Sequence, residues 1–423
     1  MTIHFMAATI KMRRYIPMAF PYMEDLEKYC PDGLHPVSIN DVFADGRYKV
    51  LHKLGSGGFS TVWLVRDQTN STLMSLKILT AALSAQTEQN IPDLQIPLFL
   101  EKNLRTANHS LARHLQTVTD HFTVQGPNGT HLCLISPLAG PSLRYMLHEA
   151  DIRFPADLAR KLAKQLADAI ESMHSAGIAH GDLTPSNVLF AVDDIVRTWS
   201  DSELTQFLGE PEKWSVDPLD GSTPLPFAPE HVIEPADTSI LSSMSLLQEN
   251  VTIIDFGQSF FAKHPPDGYQ PATVDQYMAP ETRFESRVVI ASDVWALACI
   301  IYEIRTGTPL FDDFLILMQL VELLGKFPDR WWTEYEMHDM WFEEETGEPK
   351  PVAVQRANGV STIARKTSIR EFLEDVGDEA FKTAMDDQET DLLEDLLLKM
   401  LRYEPEDRIS MREVKEHPWF VYT

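Results

Sequence analysis

His180-Gly181-Asp182-Leu183-Thr184-Pro185-Ser186-Asn187 is followed, 68 residues after its asparagine, by Asp255-Phe256-Gly257. Well upstream lies a glycine-rich turn, Gly55-Ser56-Gly57-Gly58-Phe59-Ser60-Thr61-Val62, between runs that alternate as strands. Arg47 to Leu51, Ser60 to Val65 and Leu73 to Ile78 predict a three-strand meander. Glycines let the backbone approach phosphates closely, with its N–H groups facing them. No Gly-Lys-Ser/Thr follows, which excludes a Walker loop; a strand follows where a dinucleotide fingerprint needs a helix. Further on, Leu158, Leu162, Leu166, Ile170 and Met173 recur near helical period, as do Ala291 to Arg305 and Thr390 to Tyr403. A β-rich front half thus precedes a helical back half.

Composition narrows the function. The chain has 423 residues, 44% of them hydrophobic, enough for a large core, and its 23% charged residues exclude collagen-like and wholly disordered classes. With 36 Lys+Arg against 63 Asp+Glu the net charge is −27, so attraction to a nucleic-acid backbone cannot drive binding. A cationic partner fits better. Three scattered cysteines, Cys30, Cys133 and Cys299, are too few for a disulfide framework and point to a reducing compartment. No apolar run is long enough for a membrane span; Val294 to Ile301 is read as a buried helix. Residues 1–23 are basic and have no acid, which is faintly like a transit peptide but fits a loosely packed extension better.

The glycine turn, Lys77 ending the third strand, His180–Asn187, Asp255-Phe256-Gly257, Ala279-Pro280-Glu281 and Asp293-Val294-Trp295 come in the order of the eukaryotic protein-kinase signature, which the chain resembles from about Arg47 to Phe420. The resemblance implies an α+β, bilobal protein-kinase-like fold. An N-terminal extension (1–46) precedes the kinase domain (47–420). That domain has a small antiparallel β-rich N-lobe (47–136), a hinge (137–140) and a larger helical C-lobe (141–420), with ATP between the lobes. It also implies site residues: Asp182 taking the acceptor's proton, Lys77 as a fixed cation for the α/β-phosphates, and Asn187 and Asp255 holding Mg²⁺. Gly55, Gly57, Val62, Lys77 and Leu189 are the implied nucleotide-binding residues. Glu281 is expected to pair with Arg408, a structural role.

Segment 29–67 and Gly126–Cys133 look like the leading segment, glycine loop and hairpin of the SR-protein kinases, which phosphorylate arginine/serine-rich proteins. Residues 191–250, with 12 acids, two bases and six prolines, read as that family's spacer, a partly irregular insertion. The implied partner is an Arg/Ser-rich protein, because guanidinium groups match carboxylates. Acids are dense at 334–348 and 371–395. No membrane or direct nucleic-acid contact is expected, nor an oligomer, and the implied location is cytoplasmic or nuclear.

Departures from the family pattern are informative. Gly181 stands where an arginine usually pairs with a loop phosphate, so activity should not require that phosphorylation. Thr184 and Val274 replace a lysine–threonine pair, and Ser136 is a small residue at the gatekeeper position. The acid that should pair with Lys77 is sought at Glu101, with Glu88 second, because Pro92 and Pro97 disturb the helix expected there. Two alternatives stay open: a pseudokinase scaffold that binds ATP weakly, and a small-molecule phosphotransferase. Ala279-Pro280-Glu281 with Arg408 speaks for a protein acceptor.

Overall fold

Residues 13–18, 20, 23–104, 114–222, 226–266, 268–312, 314–375 and 384–422 are described by the computed structural model. Most of the basic leader segment, 1–12 with 19, 21 and 22, lies outside them, as does part of the acidic stretch 371–395. Two compact units emerge. One comprises 1–94, 118–138 and 193–240, the other 95–117, 139–192 and 241–423.

The first unit is built on an antiparallel sheet of β1 (Val42–Phe43), β2 (Tyr48–Ser56), β3 (Ser60–Asp67), β4 (Thr72–Leu79), β5 (Asp120–Gly126) and β6 (Gly129–Pro137), in the order β1-β2-β3-β4-β6-β5. The predicted meander is β2-β3-β4. Alternation along these strands sends Val50, Trp63, Val65, Leu76, Ile78, Cys133 and Ile135 to one buried face, where each large side chain stabilises by about 1.5–3 kcal/mol. Register does the positioning: Gly55 opposes Val62, and Val62 opposes Lys77.

The segment read as a spacer in the helical lobe is placed elsewhere. Asp193–Ile240 groups with the sheet unit, where it forms a capped helix, Asp201–Leu208, and a hairpin of Lys213–Ser215 with His231–Ile233. Arg66 on β3 donates to Asp201 at 2.7 Å and to the Trp199 carbonyl at 2.8 Å, and Ala236 N–H donates to the Lys53 carbonyl at 2.8 Å. Val216, Ala228 and Val232 close over Tyr15, Met23, Leu26, Tyr29 and Leu34. Beneath them Lys53 and Glu24 form a buried ion pair, and Tyr29 Oη donates to Glu24 at 2.9 Å. Insertion and N-terminal extension are thus one apolar layer on the sheet.

The second unit is mainly helical, as the α+β reading expects. The helix Ile290–Thr306 contains the predicted Val294–Ile301 segment and is buried on nearly all sides, which explains its lack of a polar face. It packs beside the amphipathic helix Ala156–Ser175. A short sheet joins Ala139–Ser142, Val188–Val192 and Leu247–Ile253, so that Leu189 pairs with Thr252 and Ser142. A two-strand ribbon, Ile178–Ala179 against Phe260–Phe261, holds the residues on either side of the catalytic stretches together. None of the described helices is long and apolar enough to cross a membrane.

Candidate active site

In the sheet unit, the tip between β2 and β3 closes with Gly57 N–H donating to the Ser60 carbonyl at 2.9 Å, leaving Phe59 exposed. A Cβ added at Gly55 or Gly57 would meet no atom within 4 Å, and neither glycine needs a positive φ. The fold itself does not demand glycine there; a ligand approaching the backbone would. Lys77, presented by β4 beside Val62, donates to Asp93 Oδ1 at 2.6 Å.

Asp93 is thus an acidic partner of the lysine, one that the choice between Glu101 and Glu88 did not include. The helix Pro92–Leu104 forms despite its prolines. Pro92 sits at its first residue, where no N–H is needed, and Pro97 costs only one interior bond. With the helix beginning at Pro92, Asp93 falls in its first turn, next to the orphan N–H groups that favour an acid. Glu101 lies two turns further along, and Glu88 precedes the helix.

In the helical unit, Asp182, Asn187 and Asp255 converge. Asn187 Nδ2 donates to the Asp182 carbonyl at 2.9 Å and to its Oδ2 at 3.3 Å, which commits the amide nitrogen and leaves Oδ1 as the ligand atom. Burial pushes the Asp182 carboxyl above its ordinary value; nearby Asp255 adds to this, while His180 and hydrogen bonds from Asn187 and Thr273 oppose it. Asp255 adopts the left-handed region at φ 62°, with Phe256 buried beside His180 at 5.7 Å between ring centroids.

Asp293 fixes the loop from below. Its carboxylate accepts from His180 N–H at 2.8 Å, Gly181 N–H at 3.0 Å and His174 Nε2 at 3.0 Å. Burial alone would raise its pKa, but the His174 hydrogen bond and charge, with help from His180 and Gly181 N–H, hold it below the ordinary value. Thr273, missed in the sequence, donates to the Gly181 carbonyl at 3.0 Å, whereas Val274, aligned with the family threonine, is exposed. Glu281 and Arg408, both fully buried, pair through contacts of 2.8 and 2.6 Å as expected.

A protein kinase domain model matches residues 48–231 and 240–420. The chain belongs to the protein kinase family. Among relatives, a serine/threonine-protein kinase SRPK from Physarum polycephalum is 29% identical over 94% of this chain and 91% of its own. Protein kinase dsk1 from Schizosaccharomyces pombe is 27% identical over 72% of this chain and 71% of its own. A solved kinase-domain crystal structure, 16% identical, aligns with TM-score 0.55 over 91% of this chain and 98% of its own, which supports the fold. This kinase is an SR-protein-kinase-like serine/threonine kinase.

The residues present fit ATP and Mg²⁺, the groups the family uses. The two uncrowded glycines leave room for phosphates, and Lys77, bonded to Asp93, stands beside them in register. Among the described residues no cluster of three or more His, Cys, Asp or Glu could cage a metal, yet Mg²⁺ bound with nucleotide needs only one or two protein oxygens. Asn187 and Asp255 supply that number. Val62 sits beside Lys77 on the sheet, and Leu189 on the strand following Asn187.

Proposed function

We propose that this kinase transfers the γ-phosphate of ATP to serine or threonine hydroxyls of arginine/serine-rich proteins. The observation that carries the reading is the hydrogen-bonded set around Asp182, in which a half-buried carboxylate is oriented by Asn187 and its loop fixed through Asp293. As the acceptor oxygen bonds to the γ-phosphorus, its proton passes to Asp182 and the bond to the ADP oxygen breaks. Lys77, held by Asp93, orients the non-reacting phosphates. Mg²⁺, when bound, would be held by Asn187 and Asp255 and would neutralise phosphate charge. The intact Lys77–Asp93 pair argues against a pseudokinase, and the buried Glu281–Arg408 pair favours a protein acceptor over a small molecule.

The preference for arginine rests on similarity to SR-protein kinases and on the net charge of −27. A reducing location, cytoplasm or nucleus, is supported by cysteines that are all free. Localisation of the tagged full chain to a secretory or organelle lumen would contradict it. The substrate test is labelled-phosphate transfer from Mg·ATP to a Ser/Arg-repeat peptide and to the same peptide with Arg replaced by Gln, with Asp182→Asn as blank. Transfer needing both Asp182 and the arginines is expected. Equal transfer to the Gln peptide would overturn the substrate class, and none to any peptide, with ATP bound, would overturn the activity.

A further inference from the structure

The Gly181 peptide, directly before Asp182, is gripped on both sides. Its N–H is taken by Asp293, and its carbonyl accepts from Thr273 Oγ1 at 3.0 Å and from Tyr269 Oη at 3.4 Å. The Tyr269 hydroxyl also donates to the Gln258 carbonyl at 3.1 Å, the stronger of its two contacts. One hydroxyl therefore bridges the turn that leads into Asp182 and the turn that follows Asp255-Phe256-Gly257.

Space at this point is fully used. Gly181 has φ +80°, and a Cβ there would lie 2.6 Å from the Tyr269 hydroxyl and 2.6 Å from the Gln258 oxygen. No larger residue fits at 181 while Tyr269 holds its place. The ring itself is seated against Phe260, with centroids 5.3 Å apart at 63°, in an apolar cluster with Ala179, Val288 and Ile290. This seat fixes where the hydroxyl points. Raised burial and the neighbouring Asp293 and Asp182 charges keep the phenol protonated, so it acts as a donor at any working pH.

We propose that Tyr269 is a positioning residue of the kinase reaction: its hydroxyl ties the Gly181 and Gln258 carbonyls together and so fixes Asp182 relative to Asp255. The inference rests on the phosphoryl-transfer reading but needs only that some transfer is measurable. It also gives Gly181 a reason, since the hydroxyl occupies the space a side chain would take.

The experiment compares the full chain with Tyr269→Phe, using kcat, KM for ATP and thermal midpoint. Losing one donor shared by two carbonyls is expected to lower kcat about tenfold, with KM for ATP and the midpoint little changed. Because Thr273 holds the same carbonyl, adding Thr273→Val should give a loss that is not the product of the two single losses. Incorporating p-aminophenylalanine at 269 returns a donor to the same place and should restore most of kcat. Unchanged kcat in the Phe variant overturns the proposal. So does a loss that disappears when rates are expressed per folded molecule, or a folded p-aminophenylalanine protein no faster than Phe. If the Phe variant does not fold, the p-aminophenylalanine protein decides alone: activity near the parent's supports the bridge, and a folded protein with activity lost overturns it.

Discussion

At the scale of single residues, the acid paired with Lys77 was the point least legible in the sequence. Prolines at 92 and 97 obscured where the helix starts, and a two-turn error in its origin moves the chosen acid from Asp93 to Glu101. Asp93→Asn should therefore slow the reaction on the order of a hundredfold, with a smaller loss in Glu101→Gln, measured as kcat/KM for ATP. Thr273 was hidden for a related reason: alignment by the following motif points to Val274, but the backbone turns Val274 outward and Thr273 inward. Since the Thr273 hydroxyl lowers the raised Asp182 pKa, Thr273→Val should raise it further. The acid limb of the kcat/KM profile would then move to higher pH, and an unmoved limb would exclude the contact. Ser136, aligned with the gatekeeper position, is placed by strand register. It lies buried opposite Ser75, whose Oγ donates to the Ser136 carbonyl at 3.2 Å. So small a side chain leaves room for enlarged purine inhibitors, and Ser136→Phe should weaken them by about tenfold or more in an inhibition assay.

At the scale of elements, long periodic segments and tightly spaced motifs were readable, because period and turn chemistry are local properties. The meander β2-β3-β4 and the helices around Ile170 and Ile300 needed no tertiary information. The link from Glu281 to Arg408 spans 127 residues, and only the resemblance pointed to it. It anchors the helix Pro280–Glu285 under the helix Ile290–Thr306, with Arg408 Nη1 also donating to the Ala291 carbonyl at 2.8 Å and Ser292 Oγ to Glu281 at 2.6 Å. Arg408→Ala leaves a carboxylate buried without its cation. A loss of about 3–5 kcal/mol is expected in denaturant unfolding, and a loss under 1 kcal/mol would show that water or rearrangement replaces the pair.

At the scale of the whole molecule, net charge was a weaker guide than it looked. Within the acidic runs, Glu344 is engaged by His338 at 2.7 Å, Glu348 by Lys366 at 2.7 Å, and Glu389 by both Arg305 and Arg160 at 2.8 Å. These acids are engaged by the chain's own basic side chains. The insertion was the larger surprise: its prolines and acids read as irregular, because its apolar partners, Tyr15 to Leu34, lie nearly 200 residues earlier. Replacing 200–236 by a short linker should lower stability by at least about 3 kcal/mol, since it removes buried Val216 and Val232 from the sheet's apolar layer. An unchanged thermal midpoint would mean that the layer is not needed.

That layer also sets a clock. Leu34 waits for Val232, which is 198 residues later in the chain, before its apolar cover exists. At about 5–20 residues per second, translation leaves that surface open for roughly 10–40 s, while β2, β3 and β4 can already pair. Birth on the ribosome thus has an exposed interval, and a chaperone that shields apolar segments would act on this kinase before its insertion emerges.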